Sequence, residues 1–195
     1  MLADATVGLV GMGRIAKMVA RRLTAWGTKR VVYYSRTRIS NAEEKELGVH
    51  HAETLEALLS ESDVISLHVP STSETKHLLG SREFAMCKKG ARLVNTARGD
   101  IVDEEALVQA LKNGQISGAA LDVYEHEPKV HLYLRDHDMV LMQPHTAAQM
   151  VGLWRNITDE MLGNMDSFLG GLEHGQKGVK PKNAVNDIAQ DLGSS

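Results

Sequence analysis

A single cysteine, Cys87, occurs among 195 residues. One thiol excludes an internal disulfide and fits a reducing compartment. Aromatic side chains are scarce, at 4%, so a core has to rest on Val, Leu, Ile, Ala and Met. Neither sign of charge dominates: 22 Lys and Arg stand against 25 Asp and Glu. No global basic field is therefore available for nucleic acid or an anionic membrane surface. No apolar run is long enough to span a bilayer. The opening MLADATVGLVGMG has no basic leader and is broken by glycines. It reads as a strand entering a turn rather than a signal peptide, and the expected setting is cytoplasmic.

Apolar residues make up 43% of the chain, enough for a packed globule. The pattern then alternates. Residues 5–10 (ATVGLV) read as a buried strand. Residues 14–26 read as a helix with Ile15, Val19 and Leu23 on one face and Gly27 at its end. Strands follow at 30–35, 63–69 and 91–95, then in SGAALDV and MVLMQ. Helices are predicted over 54–62, over 81–90 from a capping serine to a closing glycine, and over 103–114. A long helix is predicted from about Ala147 to Phe168, and the tail after Gly170 reads as loose. His50 and His51 read as a solvated loop pair. The strands are continuous apolar runs, as in a parallel sheet covered on both faces. The expected fold is α/β, a doubly wound parallel sheet of Rossmann type over residues 1–148, with a C-terminal helix and tail over 149–195.

Directly after the first strand, GLVGMGRIA carries Gly11-x-Gly13-x-x-Ala16. Gly11 permits a tight turn, Gly13 lets a pyrophosphate approach the backbone, and Ala16 lets helix and strand pack closely. The helix N-terminus offers unpaired N–H groups to the phosphates. Such a motif alone is weak, but the strand before it and the helix after it are its proper context. NAD binders usually end their second strand in a carboxylate that holds the ribose 2′-hydroxyl. Here Ser35, Arg36 and Arg38 stand in that region. They favour a 2′-phosphate, hence NADP, with NAD as the other cofactor.

Arg98 in NTARGD, Asp122 and Glu127 in LDVYEHEP, and His145 in MQPHTAA follow three different strands. In a parallel sheet these ends line one edge, beside the glycine turn. An arginine fork holds a carboxylate and its neighbouring carbonyl. A histidine moves the proton as hydride moves, and a glutamate bonded to it fixes its tautomer. Each residue alone is as readily structural; together they suit reduction of a 2-oxo acid to a 2-hydroxy acid. His126 and His131 have a zinc-like spacing but no cysteine pair or acidic third ligand, so no metal is expected.

The segments VGLVGMGRIA, SDVISLHVPSTSETKHLL, KKGARLVNTARGDIVDEEAL, LDVYEHEP and MQPHTAA resemble the D-isomer-specific 2-hydroxyacid dehydrogenases, especially the glyoxylate and hydroxypyruvate reductase branch. The resemblance implies that Arg98 binds and polarises the 2-oxo acid, that His145 is the acid/base, and that Glu127 is its partner. It implies that Asp122 accepts a hydrogen bond from the nicotinamide carboxamide, and that Arg14 and Ile15 contact the pyrophosphate. It also places His68, Val69, Pro70 and Thr75 on the adenosine side, and Thr96 and Ala97 at the nicotinamide end. A small 2-oxo acid is the implied substrate, and a homodimer the implied state of a full-length member. The family carries a substrate-domain segment ahead of its glycine turn, whereas ten residues precede Gly11. From this the expectation is that the chain binds cofactor with little turnover. The alternative is a catalytically silent dinucleotide-binding fragment serving as a sensor or partner-binding module.

Overall fold

The computed structural model describes residues 2–149 and 151–173. The chain divides into two compact units, one ending at Thr146 and the other starting at Ala147. In the first unit, strands and helices alternate. β1 (Thr6–Val10), α1 (Arg14–Ala25), β2 (Arg30–Tyr34), α2 (Asn41–Leu47) and β3 (Val49–His51) form the first half. α3 (Leu55–Glu61), β4 (Val64–Leu67), α4 (Ser81–Met86), β5 (Ala91–Asn95), α5 (Glu104–Lys112), β6 (Ile116–Leu121), α6 (Leu132–Arg135) and β7 (Val140–Met142) follow. The second unit contains α7 (Val151–Glu173).

The strands form one parallel sheet in the order β3-β2-β1-β4-β5-β6-β7. The order reverses between β1 and β4, and the carboxyl ends of strands at such a reversal open a crevice. Two apolar clusters form the core. The larger gathers Leu58, Leu59, Ile65, Leu67, Leu93 and Leu107. The other gathers Val7, Leu9, Ala16, Ala20, Leu23 and Tyr33. Fully burying one such aliphatic side chain contributes about 1.5–3 kcal/mol.

Side-chain caps start four of the described helices. Ser40 accepts from the Glu43 amide, Thr54 from Ala57, Asp103 from Ala106 and His131 from Tyr133, each satisfying a donor that a helix start leaves unpaired.

Several expectations are corrected. Ile15 is 69% exposed and Val19 half-buried, whereas Ala16 and Ala20 join the expected Leu23 on the buried face of α1. His50 and His51 are not in a loop: they pair with Val32 and Tyr33 in edge strand β3, and the His51 ring lies 5.1 Å from that of Tyr33. The helix after residue 80 is shorter than expected and is capped at Gly80, whose amide donates to Glu83. α7 begins at Val151 and runs past Phe168 to Glu173. Ile157, Met161 and Leu162 of its expected apolar stripe are exposed. Met150, the side chains of Leu153 and Trp154, and the tail from residue 174 lie outside the described residues.

Candidate active site

Gly11 ends β1 with φ +99°, a conformation that glycine adopts without strain. Its amide donates to Tyr34 O at 2.7 Å, and a Cβ there would lie 2.7 Å from His68 O. The residue thus stitches the ends of β2, β1 and β4 together with no room for a side chain. Gly13 caps α1, and a Cβ built on it meets nothing within 4 Å. The ground above the first turn of α1 is open, and the first amides of a helix have no intrahelical partner. Open backbone, unpaired donors and a buried Ala16 fit a bound pyrophosphate.

Beside this turn lies a cleft of about 370 Å³ whose lining includes Ile15, His68, Pro70, Thr96, Ala97 and Arg98. It brings together residues expected at both ends of the cofactor. Burial pushes the His68 imidazole below its ordinary value, which favours the neutral ring. Its Nε2 lies 3.0 Å from Ser66 Oγ. Thr75 does not line the cleft: its hydroxyl closes the turn below, donating to Pro70 O at 2.6 Å and accepting from the Thr72 amide at 2.8 Å.

At the end of β2, Ser35 donates to Thr37 O. Both arginines already have carboxylate partners. Arg36 pairs with Glu74, both largely exposed. Arg38 makes a fork to Glu44 through Nε at 2.8 Å and Nη2 at 2.9 Å, and Tyr33 Oη donates to the same carboxylate at 2.7 Å. With the Arg38 fork as the largest cause, the Glu44 carboxyl is held down at about 2. Of the two arginines expected to grip a 2′-phosphate, Arg38 is fastened and Arg36 is held only at the surface.

The loop after β5 presents Arg98. It is organised by Asn95, which is 1% exposed. The Asn95 amide donates to Arg98 O at 2.8 Å, its carbonyl accepts from the Ala97 amide at 3.0 Å, and its backbone carbonyl accepts from the Asp122 amide at 3.0 Å. The Arg98 guanidinium is exposed and donates to Ala97 O. A Cβ on the next residue, Gly99, would fall 1.9 Å from Tyr124 O. Only glycine lets the loops after β5 and β6 approach this closely.

Asp122, buried at the end of β6, accepts from the Thr146 amide through Oδ1 at 2.7 Å. It thereby ties its strand to the loop after β7. In that loop His145 adopts φ +56°, uncommon for a residue with a side chain. Its Nδ1 lies 2.9 Å from Glu127 Oε2, and Glu127 Oε1 accepts from the Tyr124 amide at 3.0 Å. The His145 bond above all, then the Tyr124 amide, with the charge of Arg98 adding to them, holds the Glu127 carboxyl below the ordinary carboxylate range. An ionised carboxylate only accepts, so Nδ1 carries the proton, and Nε2 is the nitrogen through which a proton is exchanged. Both side chains are partly exposed. Such pairs contribute little stability, so the bond matters for orientation.

The sequence singled out Arg98, Asp122, Glu127 and His145, and the fold places them on the loops after β5, β6 and β7. It missed Asn95 and Tyr124, which hold those loops. The one signal was a buried amide closing an apolar strand, ARLVN.

The sequence matches the D-isomer specific 2-hydroxyacid dehydrogenase NAD binding domain over residues 1–147. It is 42% identical to a glyoxylate reductase of Thermococcus litoralis over 185 residues, 95% of this chain and 53% of that protein. It is 41% identical to a D-3-phosphoglycerate dehydrogenase of Bacillus subtilis over 167 residues, 86% of this chain and 31% of that protein. Among solved structures, holo D-mandelate dehydrogenase of Rhodotorula graminis aligns with a TM-score of 0.85 at 33% identity, covering 94% of this chain and 52% of that one. An NADPH-dependent glyoxylate/hydroxypyruvate reductase of Sinorhizobium meliloti, in complex with NADP and malonate, aligns at 0.80 and 35%, covering 87% and 51%. The chain spans about half the length of the glyoxylate reductases it matches. Motif, sheet order and sequence match agree: the chain belongs to the D-isomer-specific 2-hydroxyacid dehydrogenase family and carries its NAD-binding domain.

Proposed function

We propose that the chain serves hydride transfer between a nicotinamide cofactor, NADP in preference to NAD, and a small 2-oxo acid such as glyoxylate or hydroxypyruvate. The observation that carries this reading is the 2.9 Å bond between His145 Nδ1 and Glu127 Oε2, on loops whose neighbour presents Arg98. The bound cofactor supplies the hydride at nicotinamide C4. Arg98 grips the carboxylate of the acid and polarises its 2-oxo group. As C2 gains the hydride, its oxygen takes the proton from His145 Nε2, giving the 2-hydroxy acid. Glu127 holds the ring in place and stabilises the imidazolium before it gives up its proton. Asp122 accepts from the cofactor's carboxamide while keeping its bond to Thr146, since a carboxylate has several acceptor sites.

The preference for NADP rests on Ser35 standing where a carboxylate would repel a phosphate, and on Arg36. An exposed pair such as Arg36–Glu74 is weak, so a dianionic 2′-phosphate competes for that guanidinium. Arg38 is forked to the ionised Glu44, which matches its charge, so it is the less available of the two arginines. The Sinorhizobium enzyme, described as NADPH-dependent, supports this choice. A reducing, cytoplasmic setting accords with a lone cysteine that is buried, its thiol pushed up to about 12 by desolvation.

The second reading is cofactor binding without turnover, as a sensor or partner-binding module. NADPH oxidation with glyoxylate or hydroxypyruvate separates the two. It is measured in the chain alone and in the chain joined to the remaining half of the Thermococcus litoralis enzyme. Turnover that falls about 10²–10⁴-fold in His145→Ala is the predicted result for general acid–base catalysis. Equal turnover in parent and variant would overturn it.

A further inference from the structure

Outside the residues discussed so far, a set of short bonds surrounds Glu125. Its amide donates to Glu104 Oε1 at 2.7 Å, and the Glu104 amide donates to Glu125 Oε2 at 3.2 Å. The other oxygen, Glu125 Oε1, lies 2.5 Å from His77 Nε2. His77 holds φ +51° and donates its amide to Asp100 O at 2.8 Å. Asp100 also accepts from Ser71 Oγ through Oδ2 at 2.6 Å. Three loops therefore meet at one carboxylate: the loop after β4, which contributes Pro70 to the cleft, the start of α5 after the Arg98 turn, and the loop after β6 that carries Glu127.

The cost of this arrangement points beyond tying loops together. Glu104 is buried and Glu125 nearly so. Both carboxylates are met by donors: each accepts the other's amide, and Glu125 Oε1 also lies 3.9 Å from His126 Nε2. Left-handed backbone at a residue with a side chain is strained and persists where the surroundings enforce it.

We propose that Glu125, oriented by His77 and Glu104, is a positioning residue for the Glu127–His145 pair. The inference rests on the acid–base reading given above. The route runs through Tyr124. The Tyr124–Glu125 peptide is held on one side by Glu104 and on the other by Gly99 beneath Tyr124 O. With that peptide fixed, the Tyr124 amide points at Glu127 Oε1. The Tyr124 hydroxyl donates to Gln143 O at 2.8 Å, two residues before His145. One residue thus aims both members of the pair, and Glu125 sets that residue.

The test reads the His145 ring in the 195-residue chain by imidazole ¹⁵N spectra, its signals identified by their loss in His145→Ala. The parent ring carries its proton on Nδ1 rather than Nε2 when neutral. Glu125→Gln and His77→Ala each reduce the Nδ1–H fraction. His77→Gln, which keeps an N–H donor near the position of Nε2, restores it. NADPH affinity stays at the parent value in all three, because the phosphate cradle is untouched. An unchanged His145 spectrum in Glu125→Gln and His77→Ala overturns the proposal. So does a parallel loss of NADPH affinity, which marks general loosening, or a failure of His77→Gln to restore the signal. Failure of the acid–base reading shows itself elsewhere, as turnover that survives His145→Ala.

Discussion

Glu127 uses both of its oxygens, one on the Tyr124 amide and one on His145 Nδ1. Its folded-state pKa lies below the ordinary value of 4.5. A carboxyl shifted in this direction stabilises the fold fully above its unfolded pKa, and the contribution is lost as pH falls through the lower folded value. A ¹³C carboxyl titration therefore places the Glu127 midpoint below 4.5, and His145→Ala moves it upward. A midpoint at or above 4.5 in the parent contradicts the assigned bonding. Arg98, Glu127 and His145 were legible in the sequence because their chemistry resides in side chains of distinctive type. Asn95, Tyr124 and Glu125 were not. Their bonds run between loops that the fold alone brings together, and the buried amide closing ARLVN was the one local sign of them.

The long apolar strands and capped helices could be read directly, since each combines periodicity with a start or stop residue. α2, β3 and α6 could not. NAEEKEL offers two apolar residues in seven, Ala42 and Leu47, and the three-residue β3 contains two histidines; both are ordered by neighbours rather than by propensity. α2 is fastened by Glu44, which holds Arg38 and Tyr33 on the β2 side. With the Glu44 carboxyl lowered from 4.5 to about 2, the clamp stabilises fully above 4.5 and is lost as pH falls toward 2. Thermal unfolding of the parent and of Glu44→Gln should differ at neutral pH, and the gap should close across that window. A gap independent of pH would show that the carboxylate charge has no part in it.

At the scale of the whole molecule, seven parallel strands with one reversal of order leave a single crevice between β1 and β4 among the described residues. The glycine turn, the cleft and the Arg98 loop all gather on that edge. The fold class, and with it the gathering of these strand ends on one edge, followed from strand–helix alternation, because parallel connections force strand ends to one side. The fastening of Arg38 did not, as it depends on a side chain six residues away on a helix the pattern hid. The central claim is that this crevice is the nicotinamide-cofactor site and reads a 2′-phosphate. Titration of the chain with NADPH and NADH, followed by backbone amide shifts, tests it most directly. The predicted result is tighter binding of NADPH, with shifts at Gly11–Ile15, Ser35–Arg38 and Thr96–Arg98. Arg36→Ala should narrow the gap by about 1.5–3 kcal/mol, the range for a charged hydrogen bond. Equal affinities at matched salt, or shifts confined to the β7 edge, would contradict it.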